Sequence, residues 1–299
     1  MKRLALSTLT LLLLTILAIS AIPLPIVDAY NFSLNYAPNR RQWFDSVYEE
    51  EVTNYVAEYV AQRFAWYGYW QYYANYYIDA EVWDYDDLYD VESSWEVENV
   101  AVFTKGHTYG ESCGAGLPHR GHMAHTAYTY AMDRDISDWT QGKTQLAMIW
   151  HCGTAQAYTQ WGSNWCWYCN DYYTLPMAYT KYNGMSIDGY YDPSTWAPYC
   201  FLGFYGYSQQ FLSNWGLDNP WYYYHFVAYF YMMLVENQYP INDAIDQACF
   251  ASSGDWWPWH WISQGRWFDP DGEGSGFIPE WTQMKILGNG AMHYPGYPW

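Results

Sequence analysis

Three short apolar runs limit the folds open to this chain. They cover residues 100–104, 145–150 and 199–204, and none of them contains a charged side chain. Runs of this length, each ending near a glycine or a histidine, predict strands that are buried on both faces of a sheet. Buried strands of this kind occur in sheets covered by helices on both sides, so the segments between the runs decide the fold class.

Those segments supply helices and further strands. Helical spacing or composition predicts helices over 45–66, 122–132, 171–182, 221–237 and 241–251. Shorter apolar segments predict strands over 31–36, 70–83 and 284–288, while the glycine-rich residues 110–121 are predicted as a loop and the acidic residues 84–92 as a solvated loop or helix start. Strands alternate with helices, which predicts an α/β fold with a mostly parallel central sheet and helices on both faces.

The N-terminal residues 1–29 have the pattern of a secretory signal. Lys2 and Arg3 precede a long uncharged apolar run, and small residues at Val27 and Ala29 lie at the spacing that a signal peptidase recognises. An uncleaved membrane anchor is the alternative, because the run is long for a signal core. We therefore expect residues 30–299 to form a single domain that is secreted or at the cell surface, without membrane insertion after cleavage.

The net charge of the chain limits the classes of partner that it can bind. Its net charge of -19 repels the phosphates of nucleic acids and of anionic membranes, so we expect neither as a partner. The 35 tyrosines and 20 tryptophans supply large apolar areas to bury, which argues against a disordered chain. The oligomeric state has no signature in the sequence.

Six cysteines occur in a chain that we expect to be exported. An oxidising compartment and an even number of cysteines favour disulfides. Cys166 and Cys169 form a C-x-x-C pair, for which a local disulfide is favoured over a redox or zinc pair. If one of the six is a catalytic thiol, at least one more must also be unpaired.

Two predicted strands end at reactive side chains. His107 follows the run at 100–104, and Cys152 follows the run at 145–150. Ligands of open α/β sheets bind beyond the carboxyl ends of the strands, where two neighbouring strands would bring these residues together. A histidine beside a cysteine favours the thiolate, which can attack a carbonyl carbon. Both residues also have structural alternatives. Cys152 could be a buried thiol or part of a disulfide, and His107 could cap a turn.

The segments 102–107 and 147–155 resemble the caspase-like clan of cysteine peptidases, and within it the gingipain group most. Caspases place the histidine roughly 50 residues before a strand-end cysteine, and here 200–204, 221–251 and 284–290 are similar to later elements of the clan. The resemblance implies a caspase-like fold and an endopeptidase that acts on protein or peptide substrates without a cofactor. It implies His107 and Cys152 as the catalytic dyad, with the backbone N–H groups of Thr108 and Cys152 holding the oxyanion. Thr108 stands where the clan usually has glycine.

Two other functions fit parts of the sequence. An inert caspase-like fold kept as a cell-surface binding module would explain Thr108 and the aromatic excess. A metal-dependent hydrolase would use His119, His122 and His125, of which the last two would be neighbours on a predicted helix.

An acidic loop near the C-terminus has the spacing of a calcium site. Asp269, Asp271, Glu273 and Glu280 fall at loop positions 1, 3, 5 and 12, and Gly274 falls at position 6. Carboxylate oxygens at this spacing can converge on Ca²⁺, so the segment 269–280 predicts a structural calcium site. An ordinary acidic turn is the alternative.

Overall fold

The computed structural model describes residues 31–37, 47–67, 73–78, 82–93, 99–123, 130–155, 165–172, 174–181, 199–204, 208, 211, 223–253 and 284–294. The predicted signal segment 1–29, the predicted calcium-binding segment 269–280 and His125 lie outside the described residues.

Eleven strands occur in the described part of the chain. They are β1 Asn31–Ala37, β2 Tyr73–Ile78, β3 Asn99–Lys105, β4 Thr108–Ser112, β5 Pro118–Met123, β6 Tyr130–Met132, β7 Thr144–Trp150, β8 Trp165–Cys166, β9 Asp171–Tyr172, β10 Cys200–Phe204 and β11 Met284–Gly288.

The helices of the described residues follow the same chain order. They are α1 Val47–Tyr67, α2 Val82–Ser93, α3 Asp133–Trp139, α4 Leu175–Thr180, α5 Tyr223–Tyr231, which continues into a π-helical turn Met232–Glu236, and α6 Ile241–Ser253. Among these helices, none combines the length and the apolar character that a membrane crossing requires.

Six strands form the central sheet in the order β11-β10-β7-β3-β1-β2. All neighbouring strands are parallel except β11, which runs antiparallel to β10. The predicted α/β class with a mostly parallel sheet is therefore confirmed. The chain order reverses between β1 and β3, and reversals of this kind mark the usual ligand edge of doubly wound sheets.

Helices cover both faces of the sheet because the strand side chains alternate between two cores. Ala101 and Phe103 of β3 pack on one side with α1, α5 and α6. Val100 and Val102 of the same strand pack on the other side with α2, α3 and α4. All seven residues of β3 and all seven of β7 are buried, as the apolar runs predict. These two strands are the rigid base of the site described below.

The helix predicted over 122–132 and the loop predicted over 110–121 are wrong. The segment instead forms the antiparallel sheet β4-β5-β6, with residues 122–123 at the end of β5 and residues 130–132 in β6. A Cβ atom at Gly121 would lie 2.6 Å from the carbonyl oxygen of Ala131, so glycine is required where β5 and β6 meet. Gly121 therefore permits the pairing of β5 with β6.

The acidic residues 84–92 lie within α2, and Glu92 is fully buried rather than solvated. Its carboxylate accepts hydrogen bonds from the backbone N–H groups of Gln141 at 2.5 Å and Lys143 at 3.0 Å, and from the hydroxyl of Thr144. Desolvation raises the pKa of Glu92 above its usual value, although these donors oppose the shift. Glu92 thus fixes the turn that leads into β7.

The helix predicted over 171–182 is shorter in the structure. Residues Asp171–Tyr172 form β9, and the helix covers only Leu175–Thr180. Thr174 has a φ of 79°, which is incompatible with a helical residue. The helix therefore cannot extend back through this position.

Candidate active site at the carboxyl edge of the sheet

The ends of β3 and β7 lie side by side. Lys105 pairs with Trp150 in the parallel register of these strands. His107 and Cys152 each follow two residues later, and the N–H of Gly106 donates to the carbonyl oxygen of Trp150 at 3.4 Å. The two predicted catalytic residues are therefore at equivalent positions beyond neighbouring strands, at the carboxyl edge where α/β sheets bind ligands.

A rigid turn presents Cys152. Gly153 has a φ of 68°, a left-handed conformation that glycine adopts without steric cost. Thr154 donates its hydroxyl to the carbonyl oxygens of Ile149 and His151 and accepts the N–H of Phe204 at 3.2 Å. These bonds tie the turn to both β7 and β10, so the thiol position is set by the sheet.

The thiol of Cys152 is half-buried and has a nearby backbone donor. The N–H of Ser208 points to its Sγ at 3.2 Å, and the Ser208 hydroxyl oxygen lies 3.5 Å from the same atom. These two contacts hold the sulfur atom in place at the carboxyl edge of the sheet.

His151 directly precedes Cys152, but its imidazole is engaged in the interior. Its Nδ1 lies 3.0 Å from the carbonyl oxygen of His107, and its Nε2 lies 3.0 Å from the hydroxyl of Thr104. Nδ1 therefore carries the proton that it donates to the carbonyl, and Nε2 accepts from the threonine. Burial holds the pKa of His151 well below its usual value. His151 thus positions the backbone of His107. His107 itself is half-buried and is therefore more accessible to solvent than His151.

A second buried histidine extends this network. His122 lies with its Nδ1 3.3 Å from the Nδ1 of His151 and its Nε2 2.7 Å from the hydroxyl of Tyr179. Burial lowers the pKa of His122 to about 3, so its ring is neutral at neutral pH. The sequence has no signal for this network, because its members come from β3, β5, α4 and the turn after β7.

Thr108 begins β4 and pairs with His122 of β5. Among the described residues other than glycine, only Asn170, Thr174, Lys181 and Gln238 have positive φ angles, so Thr108 adopts ordinary backbone angles. A β-branched residue is therefore accommodated at this position without backbone strain. The oxyanion role of its N–H group stays a prediction.

Two members of the predicted metal group His119, His122 and His125, namely His119 and His122, are not brought together, and His125 lies outside the described residues. The two residues are three apart on β5, and side chains at odd separations point to opposite faces of a strand. His119 lies on the opposite face of β5 from His122, with its Nδ1 2.7 Å from Asp133, and this hydrogen bond raises the pKa of His119 to about 9. The helical argument for the pair fails because the segment is a strand.

The cysteines also differ from the sequence-based expectation. All six are free thiols in the structure, so the predicted disulfides are not formed. Cys166 does not bond to Cys169, and its Sγ lies 3.5 Å from that of Cys113, far beyond a disulfide bond length. The structure groups Cys113, Cys166 and Cys169 around His119, an arrangement that the spacing of the sequence did not reveal.

No protein-family model matches this chain, and no curated protein matches it. The assignment of a function therefore depends on the site itself, which is a cysteine and a histidine at the carboxyl edge of a mostly parallel α/β sheet. The predicted calcium ligands Asp269, Asp271, Glu273 and Glu280 lie outside the described residues.

Proposed function

We propose that the protein is a cysteine endopeptidase of caspase-like architecture with His107 and Cys152 as its catalytic dyad. The observation that carries the proposal is their equivalent placement, two residues beyond the paired strand ends Lys105 and Trp150. The resemblance to gingipains supports the same pair, and the order of the central strands is compatible with it. The proposed setting is outside the cell, after removal of residues 1–29.

In the proposed reaction, His107 accepts the proton of the Cys152 thiol, and the thiolate attacks the carbonyl carbon of a peptide bond. The backbone N–H groups of Cys152 and Thr108 hold the developing oxyanion. When the C–N bond breaks, the amine leaves with the proton from His107. Water then hydrolyses the thioester, which releases the acid and restores the thiol. The reaction needs no cofactor.

The choice of His107 over His151 as the base follows from the contacts of the two rings. His151 is fully buried and holds hydrogen bonds at both of its ring nitrogens, so it has no position from which to exchange a proton with solvent. His107 follows the strand end and is half-buried. The substrate enters from solvent, and the general base must reach its leaving amine to deliver the proton. This requirement favours His107 over the fully buried His151.

Kinetics on a fluorogenic peptide library test the dyad. Cys152→Ala is expected to lower kcat/KM by at least about 10³-fold, and His107→Ala by about 10²–10⁴-fold. His293→Ala is a matched control, because this histidine is also half-buried but lies at the far end of the described chain. Proteolysis that survives Cys152→Ala would exclude the proposed mechanism.

A binding module is the second candidate, and one surface favours it. Trp167 and Tyr168 are 75% and 60% exposed and lie side by side between β8 and β9. Exposed aromatic rings of this kind can stack on sugar rings or pack on a protein surface. Binding on a glycan array that Trp167→Ala abolishes and Cys152→Ala leaves unchanged, without any turnover, would select this candidate.

A further inference from the structure

Four side chains with metal-binding atoms converge on one point, and none of them belongs to the proposed dyad. They are Cys113 after β4, His119 on β5, and Cys166 and Cys169 of the β8–β9 hairpin. Their sulfur and nitrogen donors all lie within 4.8 Å of one another. The Sγ atoms of Cys113 and Cys166 are 3.5 Å apart, as are the Sγ of Cys169 and the Nε2 of His119.

The two 3.5 Å separations match those of neighbouring ligands in a tetrahedral metal centre. Zinc binds thiolate sulfur at about 2.3 Å and imidazole nitrogen at about 2.0–2.1 Å, which places neighbouring ligand atoms roughly 3.5–3.8 Å apart. Three thiols and one imidazole complete the four positions. Disulfides do not account for the group, since three cysteines cannot all pair among themselves and the sulfur atoms are too far apart to be bonded.

His119 is oriented for this role by a buried carboxylate. Its Nδ1 donates to Asp133 at 2.7 Å, which leaves Nε2, the nitrogen that faces the sulfur atoms, to bind a metal in place of a proton. Asp133 is fully buried and accepts the backbone N–H groups of Arg120, Arg134 and Thr174 at 3.2, 2.9 and 2.7 Å. A carboxylate that fixes the tautomer of a ligating histidine is the usual second layer of a zinc site.

The two hairpins have the turns that such a site requires. The C-x-x-C turn directs the N–H of Cys169 to the Sγ of Cys166 at 3.3 Å, which fixes the position of this sulfur atom in the hairpin. In the other turn, the N–H of Gly116 donates to the carbonyl oxygen of Cys113 at 2.8 Å. Gly114 has no side chain, which lets the ring of Tyr168 pack directly against its backbone.

We propose that Cys113, His119, Cys166 and Cys169 bind one zinc ion as a closed structural site. Zinc is the metal that this set favours, because thiolate and imidazole ligands in tetrahedral geometry suit it best. The ion joins the β4–β5 hairpin to the β8–β9 hairpin. Since β4 begins at Thr108, the zinc also anchors the hairpin that continues directly from His107, but the inference does not depend on the proposed peptidase activity.

Elemental analysis of the purified protein tests the site. The protein is produced in zinc-containing medium and purified without chelators, and we expect one zinc per chain. Cys166→Ser and Cys169→Ser are expected to lose the zinc, whereas Cys152→Ala keeps it. Zinc-free wild type, stoichiometric iron in its place, or a disulfide between two of Cys113, Cys166 and Cys169 in unreduced peptide maps would overturn the proposal.

A cobalt titration keeps the test decisive if the serine variants do not fold. Wild-type protein freed of zinc is titrated with Co²⁺, and we expect the intense visible bands of a tetrahedral cobalt site together with thiolate charge-transfer absorption. His119→Cys is expected to retain the metal with a shifted spectrum, because a fourth thiolate replaces the imidazole. The weak spectrum of octahedral cobalt in the wild type would contradict the site.

Discussion

Replacing Asp133 by asparagine removes one acceptor from a carboxylate that is fully buried. In the wild type, Oδ1 accepts from His119 and from the N–H of Arg134, and Oδ2 accepts from the N–H groups of Arg120 and Thr174. An amide has one oxygen and one NH₂ group. Whichever way it turns, its NH₂ group faces two donors that have lost their acceptor.

The cost follows from these contacts. Each buried donor left without an acceptor costs about 1–3 kcal/mol, so Asp133→Asn is expected to lower the free energy of unfolding by about 2–6 kcal/mol. Asp138→Asn is the matched control, because Asp138 is exposed on the same helix α3. Its change is expected to stay within about 0.5 kcal/mol.

Urea or guanidinium unfolding followed by circular dichroism measures both variants. The comparison is repeated with excess chelator, so that loss of bound zinc does not contribute to the difference. An Asp133→Asn protein as stable as the Asp138→Asn control in both conditions would refute the role of Asp133 as the hub that joins β5, α3 and Thr174.

Three further predictions concern the sheet and its helices. Glu92→Gln places an NH₂ group against backbone donors and is expected to lower the free energy of unfolding by about 1–3 kcal/mol. The control Asp90→Asn, on the exposed side of α2, is expected to change it by less than about 0.5 kcal/mol. Equal denaturation midpoints for the two variants would contradict this prediction. Burial raises the pKa of Asp246 from 3.8 to about 8, so the wild type loses stability as pH rises from about 4 to about 8, and Asp246→Asn should lack that part of the slope in Tm against pH. Parallel curves for the two proteins would show that Asp246 is not the source. Gly203→Ala puts a Cβ 2.6 Å from the hydroxyl of Thr154 and should cost about 1–3 kcal/mol in chemical denaturation, a loss that an unchanged midpoint would rule out.

The central sheet could be predicted because its strands are apolar on both faces. The runs at 100–104, 145–150 and 199–204 correspond to β3, β7 and β10, and local pattern alone identifies strands of this kind. The same pattern placed His107 and Cys152 at strand ends, and the parallel pairing of β3 with β7 puts them at one edge. The helices at 221–237 and 241–251 were also found, since their apolar residues recur over several turns.

The smaller sheets and the cysteine group could not be predicted from local pattern. In β4 and β5, polar residues and glycines replace the apolar alternation that marks a strand. The local pattern therefore predicts a loop and a helix for this segment. Cys113 and Cys166 meet across a separation of 53 residues. Their contact depends on the packing of two hairpins, which no spacing rule within either hairpin encodes.

The burial of an acidic residue in α2 also could not be predicted from local sequence. The acidic neighbours of Glu92 in the sequence predict a solvated side chain. Its carboxylate is instead buried against the backbone N–H groups of Gln141 and Lys143, which are 49 and 51 residues away. Burial of a carboxylate requires donors, and these donors are backbone N–H groups that every sequence contains. Only the three-dimensional arrangement identifies which of them are available.

Alkylation of the native, unreduced protein with iodoacetamide at neutral pH, followed by peptide mapping over time, tests the central claim about Cys152 most directly. The account predicts that Cys152 reacts first among the six cysteines, that His107→Ala slows this reaction, and that Cys113, Cys166 and Cys169 stay protected by bound zinc. A Cys152 that stays unmodified in the folded protein, or that is recovered in a disulfide, would contradict the proposed dyad.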